Sequence, residues 1–87
     1  METLNVLAKI KRGKNRYKVF QAIDKPMMPS EIVKKIYGKV SNTHFNIVSR
    51  ALTELVELKV VRVVNPKDKT GRMYQLTQLG EEVKKTL

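Results

Sequence analysis

Thr43, Asn46 and Arg50 are the residues of this chain whose types and spacing most suggest chemistry. At about 100° per residue, an α-helix would place their side chains on one polar stripe. Arg can donate two hydrogen bonds to guanine, Asn can bond adenine in the same two-point manner, and Thr suits several bases, including the thymine methyl group. The stripe, with Asn42 at its margin, therefore predicts contact with base edges, and an ordinary solvated helix face is the alternative.

Residues 42–58 are predicted to form the helix that carries this stripe. Ser41 or Asn42 can accept the free amide hydrogen bonds at its start. His44 falls on the border between the two faces, where a half-buried structural role is expected rather than a sensor or metal ligand. The opposite, apolar face is predicted to comprise Phe45, Val48, Leu52, Leu55 and Val56.

A second candidate site is the basic loop 65–72, which lies between two short segments rich in β-forming residues. It predicts a β-hairpin whose tip carries Lys67, Lys69 and Arg72. These cations could follow a minor groove or a row of phosphates, and simple solvation of a hairpin tip is the alternative. Flanking phosphate contacts are predicted for Lys14, Arg16, Ser30 and Lys34, although Lys34 is equally well explained as a surface lysine.

The charge balance supports a polyanionic partner. The chain holds 18 Lys and Arg against 8 Asp and Glu, a formal charge of +10. Basic residues concentrate in segment 9–18 and in the loop 65–72, whereas the acids fall mainly elsewhere. Such patterning favours nucleic acid binding. A lysine-rich surface that serves only solubility or thermal stability is the alternative.

The 87 residues predict one domain, 1–87, of the α+β class and mostly helical. The expected order is three helices, a two-stranded hairpin and a last helix, with a further short helix at the N-terminus. The predicted elements are helix 3–11, a helix with Asn15 as N-cap that stops at Lys25-Pro26, helix 30–37 ended by a left-handed Gly38, helix 42–58, strands within 60–64 and 73–76, and a final helix capped by Thr77.

The chain lacks the residues that several classes of function require. The chain has no Cys and one His, and it has no Gly-rich phosphate loop or paired-carboxylate motif. We therefore expect no enzyme activity, no metal and no cofactor, and no small-molecule effector is assigned. No apolar run is long enough for a membrane helix or a signal peptide, so a soluble, cytoplasmic protein without a membrane partner is expected.

The order of these elements is that of a winged helix-turn-helix domain, and short sequence words strengthen the similarity. These words are Arg16-Tyr17 with Phe20 and Ile23; Pro29-Ser30-Glu31-Ile32; Val48-Ser49-Arg50-Ala51-Leu52 followed by Glu54-Leu55; Val60-Val61; Asn65-Pro66; Gly71-Arg72; and Tyr74-Gln75-Leu76-Thr77 with Gly80. Together they resemble archaeal winged-helix transcriptional regulators related to the MarR and ArsR types, from about residue 14 to residue 83. The resemblance implies double-stranded DNA binding, with helix 42–58 in the major groove and the hairpin as the wing.

The chain departs from this family at the end of the long helix. The family commonly has Gly there, whereas this chain has Lys59. A left-handed Lys59 would cost about 1 to 2 kcal/mol, which leaves a different helix end as the alternative. The stretch from Gly38 to Val48 is also about one helical turn longer than the family pattern, which permits an extended recognition helix or a longer turn.

The sequence leaves two alternative functions open and also predicts a homodimer. Winged-helix domains also serve as protein–protein interaction modules in larger assemblies, and sequence-tolerant nucleic acid binding, including RNA binding, is the other alternative. A homodimer is predicted because apolar residues of the terminal helices could pair across a twofold axis. These residues are Leu4, Leu7 and Ile10 at one end and Leu79, Val83 and Leu87 at the other. Folding of both helices onto their own core is the alternative.

Overall fold

The computed structural model describes residues 2–68 and 71–86, and the side chains from residue 5 onward within them. Its elements are α1 (Glu2–Arg12), α2 (Lys14–Ala22), α3 (Pro29–Tyr37), α4 (Asn42–Glu57), β1 (Val61–Val63), β2 (Tyr74–Leu76) and α5 (Gln78–Lys85). The two strands pair antiparallel. The prediction of a mostly helical α+β fold with a two-stranded hairpin is confirmed. None of the described helices is both long and apolar enough to cross a membrane.

The core forms where α4 crosses α2 and α3. Along α4, the buried residues Val48, Ala51, Leu52 and Leu55 recur every three or four positions and so make one apolar face. This face meets Phe20 of α2, together with the other buried residues Val19, Ala22, Ile32 and Val33. With these residues packed inward, the polar residues of α4 are left on the opposite side.

Helix α2 differs at both ends from its prediction. Asn15 is not the N-cap, because α2 begins at Lys14 with Gly13 as the cap, and the carbonyl of Gly13 accepts from the Tyr17 amide at 2.9 Å. The helix also ends at Ala22, before the predicted stop at Lys25-Pro26. Two lysines from other helices donate hydrogen bonds to carbonyl groups at the C-terminus of α2. Lys35 Nζ donates to the carbonyl of Ala22 at 2.8 Å, and Lys84 Nζ donates to that of Ile23 at 2.7 Å. Cations at a helix C-terminus are favourable.

The turn between α3 and α4 follows its local signals. Gly38 has φ 84°, the left-handed conformation that was predicted, and Ser41 is the N-cap of α4. The Ser41 hydroxyl accepts a hydrogen bond from the His44 amide at 3.2 Å. The His44 ring stacks on Tyr37 with centroids 3.9 Å apart and planes 5° from parallel. His44 is half-buried, which confirms the prediction that it lies at the edge of the core.

The hairpin is attached to the start of α3 by a backbone pairing that the sequence did not predict. The amide of Met27 donates to the carbonyl of Tyr74 at 2.9 Å, and the amide of Tyr74 donates back to Met27 at 2.7 Å. Met27 thus forms a bridge on the free edge of β2, and its own side chain is buried. This pairing places the hairpin beside α3 and α4.

Helix α4 ends on a left-handed residue although that residue is a lysine. Lys59 has φ 66°. The amide of Lys59 donates to Val56 at 2.9 Å and the amide of Val60 to Leu55 at 3.3 Å, the paired bonds of a Schellman motif. The alternative helix end considered from the sequence does not form. Thr77 holds this conformation, because its hydroxyl donates to the carbonyl of Lys59 at 2.6 Å.

The terminal helices pack onto their own chain, which removes two residues from the predicted dimer surface. Ile10 of α1 and Val83 of α5 are completely buried in the core, so the prediction that they form a face between subunits is wrong. Their helices contact each other, and α1 also contacts α2. Leu7 and Leu79 are half-buried. The Leu4 side chain and Leu87 lie outside the described residues.

Candidate nucleic-acid interface

The polar face of α4 is exposed. Asn42, Thr43, Asn46 and Arg50 all lie in solvent, opposite the buried face that holds Val48 and Leu52. On a helical wheel, Asn46 and Arg50 point within about 30° of the direction directly away from the core. These two side chains therefore stand at the centre of the exposed face, together with Glu57 at the C-terminal end of α4.

Two grooves flank α4, and the predicted site residues are divided between them. The first groove lies on the side of α2 and is lined by Asn15, Thr43, Asn46, Ile47, Arg50, Ala51 and Glu54. The second groove lies on the side of the hairpin and is lined by Met28, Pro29, Ser30, Phe45, Ser49, Gly71, Arg72 and Tyr74. We call them the α2-side groove and the hairpin-side groove.

The α2-side groove has an acidic wall. Glu54 Oε2 lies 3.6 Å from Nη1 of Arg16, and the two side chains are 44% and 23% exposed. The guanidinium of Arg16, which the sequence predicts to contact a phosphate, is therefore directed at a carboxylate in this structure. Its buried Nε has no hydrogen-bond acceptor among the described residues. A carboxylate one helical turn beyond Arg50 makes this side of α4 the less favourable one for a phosphate.

The hairpin-side groove is where three elements meet: the first turn of α3, the middle of α4 and the distal end of the hairpin. Ser30 and Ser49 contribute half-buried hydroxyl groups, and Arg72 contributes an exposed guanidinium. Hydroxyl and guanidinium groups are common donors to phosphate oxygens and base edges. This groove therefore combines hydrogen-bond donors with positive charge on one side of the molecule.

Phe45 lies in this groove and not in the core, so its prediction as a core residue is wrong. It is 38% exposed, whereas Val48, one turn later, is fully buried. Around the helix axis the two residues are only about 60° apart, which is why the helical period groups them. The start of α3 and the hairpin border the space beside Phe45 without covering it.

The hairpin tip is ordered by Asn65. Its Oδ1 accepts from the Met73 amide at 2.7 Å, and its Nδ2 donates to the Gly71 carbonyl at 3.2 Å and to Asp68 Oδ2 at 2.9 Å. Nε of Arg72 donates to the carbonyl of Asp68 at 2.9 Å. One edge of the Arg72 guanidinium is thus fixed to the backbone. Lys67 is exposed at the tip, and the predicted contact Lys69 lies outside the described residues.

The remaining predicted phosphate contacts are exposed but line neither groove. Lys14 begins α2 beside Asn15, and Lys34 lies one turn after Ser30 on α3. Each is close in sequence to a groove residue, and an exposed cation at that distance contributes long-range attraction to a polyanion.

Sequence reasoning missed several residues of this surface. Ser49 belongs to the hairpin-side groove, and its helical position, about 100° from the buried Val48, could have identified it. Asn65 precedes a proline, the pattern of a residue that starts a turn and bonds its backbone, so it also had a local signal. Asn15 in the α2-side groove had no such signal.

Comparisons with known proteins give no match: no family model fits the chain, and searches of curated proteins and of solved structures return no significant similarity. A functional assignment therefore depends on the geometry and charge of this chain alone.

Proposed function

We propose that this chain is a winged-helix protein that binds double-stranded DNA in a sequence-specific manner and acts as a transcriptional regulator. The observation that carries the proposal is the hairpin-side groove, in which the start of α3, Phe45 and Ser49 of α4, and Arg72 of the hairpin meet beside the exposed polar face of α4. In this arrangement α4 enters the major groove, and the hairpin is the wing on the adjoining minor groove or phosphates.

The dimensions of α4 fit this role. Its 16 residues form a rod about 24 Å long. A major groove about 12 Å wide admits one α-helix. The exposed amide of Asn46 and guanidinium of Arg50 stand furthest from the core, where they can reach base edges once the helix is seated.

The helical wheel refines which residues of the polar stripe would face the duplex, because Thr43, Asn46 and Arg50 all line the α2-side groove and none of them lines the hairpin-side groove. A duplex that touches both α4 and the hairpin covers the centre of the stripe and the hairpin-side groove. Base contacts are therefore assigned to Asn46 and Arg50, with Asn42 and Ser49 beside them. Thr43 points about 50° from the centre of the exposed face, toward α2, and becomes a marginal contact.

Positive charge on the protein supplies the part of the DNA affinity that does not depend on base sequence. Lys35 and Lys84 bond backbone carbonyls, and Arg16 pairs with Glu54, so these three cations are engaged within the fold. Arg72 lines the hairpin-side groove, and Lys14, Lys34 and Lys67 are also exposed. We assign these four cations to phosphates.

A homodimer on a two-half-site operator is part of the proposal, because it would set two recognition helices about 34 to 36 Å apart. Ile10 and Val83 cannot hold such a dimer, since both are core residues. Half-buried Leu7 on α1 and Leu79 on α5 are the described members of the predicted face that remain partly at the surface. Light scattering at micromolar concentration measures the mass, and Leu7→Asp should reduce it toward that of one chain.

The deciding experiment selects bound sequences from random duplexes, with RNA of matched length as competitor. A shared motif enriched among the duplexes supports the proposal. Enrichment of RNA, or retention of all duplexes without a motif, would support sequence-tolerant nucleic acid binding instead. A folded protein that retains neither nucleic acid would favour the protein–protein interaction module.

A further inference from the structure

The exposed position of Phe45 is unusual for a large aromatic side chain on a helix with an extensive core face. Along the same side of α4, Val48 and Leu52 are fully buried, whereas Phe45 keeps 38% of its surface in solvent. Among the described residues, the aromatic stack is formed by Tyr37 and His44, so Phe45 has no stacking partner there. Its ring has an apolar surface that the fold leaves open.

The surroundings of the ring restrict what it can contact. The Phe45 ring continues an apolar surface formed by Met28, Pro29 and Tyr74. The hairpin-side groove also holds the hydroxyls of Ser30 and Ser49 and the guanidinium of Arg72. An apolar ring framed by hydrogen-bond donors and a cation matches a ligand that has an apolar group within a polyanionic, acceptor-rich surface. The formal charge of +10 on the whole chain gives the same complementarity at long range.

The major groove of DNA offers one apolar group on its standard bases, the C5-methyl of thymine. We propose that Phe45 is a specificity-determining residue that packs against a thymine methyl group in the bound site, with Ser30 and Arg72 contacting the flanking backbone. This inference rests on the proposed function, because it requires α4 to lie in the major groove. It predicts a thymine at one position of the recognition sequence, at the edge nearest the hairpin.

The test replaces thymine by deoxyuridine, which removes only the methyl group, at each position of a selected duplex. At one position, the substitution should weaken binding of the wild type by about three- to tenfold, as expected for loss of one buried methyl contact. Phe45→Ala should weaken binding to the thymine duplex by a similar factor and should bind both duplexes equally. Phe45→Leu, which retains an apolar side chain, should keep part of the methyl effect.

Val40→Ala is the matched control, because Val40 is also a large exposed apolar residue, at 46%, but it lies in the turn before α4. This variant should show the full wild-type methyl effect. An equal methyl effect in wild type and Phe45→Ala, or none in wild type, would overturn the inference while leaving DNA binding intact. If the folded wild type binds no duplex, the proposed function fails and this inference fails with it.

Discussion

Gly80 of α5 lies against the backbone carbonyl of Val60, so close that a Cβ at position 80 would overlap the carbonyl oxygen. The same oxygen accepts a hydrogen bond from the Thr77 amide at 3.0 Å. The first turn of α5 is therefore seated directly on the chain between α4 and β1. Glycine at this position is required by close approach, since its backbone conformation is not left-handed.

Gly80→Ala should therefore destabilise the protein by about 1 to 3 kcal/mol, because backbone must move to admit the methyl group. Urea unfolding followed by circular dichroism measures the loss. Gly13→Ala is the control: its added Cβ would meet the flexible end of the Arg16 side chain, which can move aside. Equal losses in the two variants would argue against the close approach of α5 to Val60.

Lys59→Gly should stabilise the protein by about 0.5 to 1 kcal/mol. The left-handed φ of 66° strains lysine but not glycine, and this gain exceeds the greater freedom of glycine in the unfolded chain. Lys59→Ala removes the same exposed side chain and charge but keeps the strain, so its stability should stay near that of wild type. The urea midpoint should rise for the glycine variant alone, with an unchanged m-value.

Arg50→Ala should lower affinity for a selected duplex by about 1 to 3 kcal/mol and relax base preference at one position. Lys67→Ala should weaken cognate and random duplexes by the same factor, because a phosphate contact carries no sequence information. Arg12→Ala, a change of equal charge at an exposed site on α1, controls for net charge. Fluorescence anisotropy across a salt series separates base contact by Arg50 from phosphate contact by Lys67. Equal effects of Arg50→Ala on the cognate and the random duplex would contradict base contact.

Glu54→Gln should strengthen DNA binding severalfold. The substitution removes a negative charge from the wall beside Arg50 and releases Arg16 from its ion pair. The free energy of unfolding should change by less than about 1 kcal/mol, because the pair is partly exposed and 3.6 Å long. Binding measured at low and high salt tests this. Weaker binding by a fully folded variant would show that Arg16 must be held by Glu54 to be useful.

Asp24 gives the protein a contribution to stability that depends on pH. A hydrogen bond from Lys35, at 3.0 Å, holds the pKa of Asp24 below its ordinary value of 3.8. A folded-state pKa below the unfolded one means that the contribution is present above pH 3.8 and is lost as the pH falls through the folded pKa. Asp24→Asn should therefore make the melting temperature fall less steeply as the pH is lowered through this range. Lys35→Met, which removes the hydrogen-bond donor, should have the same effect.

Local signals predicted most of the elements, whereas the shape of the site depended on long-range pairing. Ser41, Thr77 and Gly38 mark helix ends through bonds to neighbours a few residues away, which is why each was found from the sequence. Gly13, and not Asn15, is the N-cap of α2. Its backbone is extended and its carbonyl accepts the first hydrogen bond of the helix, so the cap forms without a side-chain hydrogen bond. Phe45 was misplaced because its exposure depends on where the hairpin lies.

The bridge between Met27 and Tyr74 has a mechanical consequence. Two backbone hydrogen bonds, at 2.9 and 2.7 Å, attach the hairpin to Met27, two residues before the start of α3. A tilt of the hairpin must therefore displace the start of α3 as well, and α3 is anchored in the core by Ile32 and Val33. The spacing between Ser30 and Arg72 is thus preorganised before any ligand arrives. A rigid cleft of this kind loses little conformational entropy on binding, so a ligand that fits it gains affinity and one that requires it to widen is rejected.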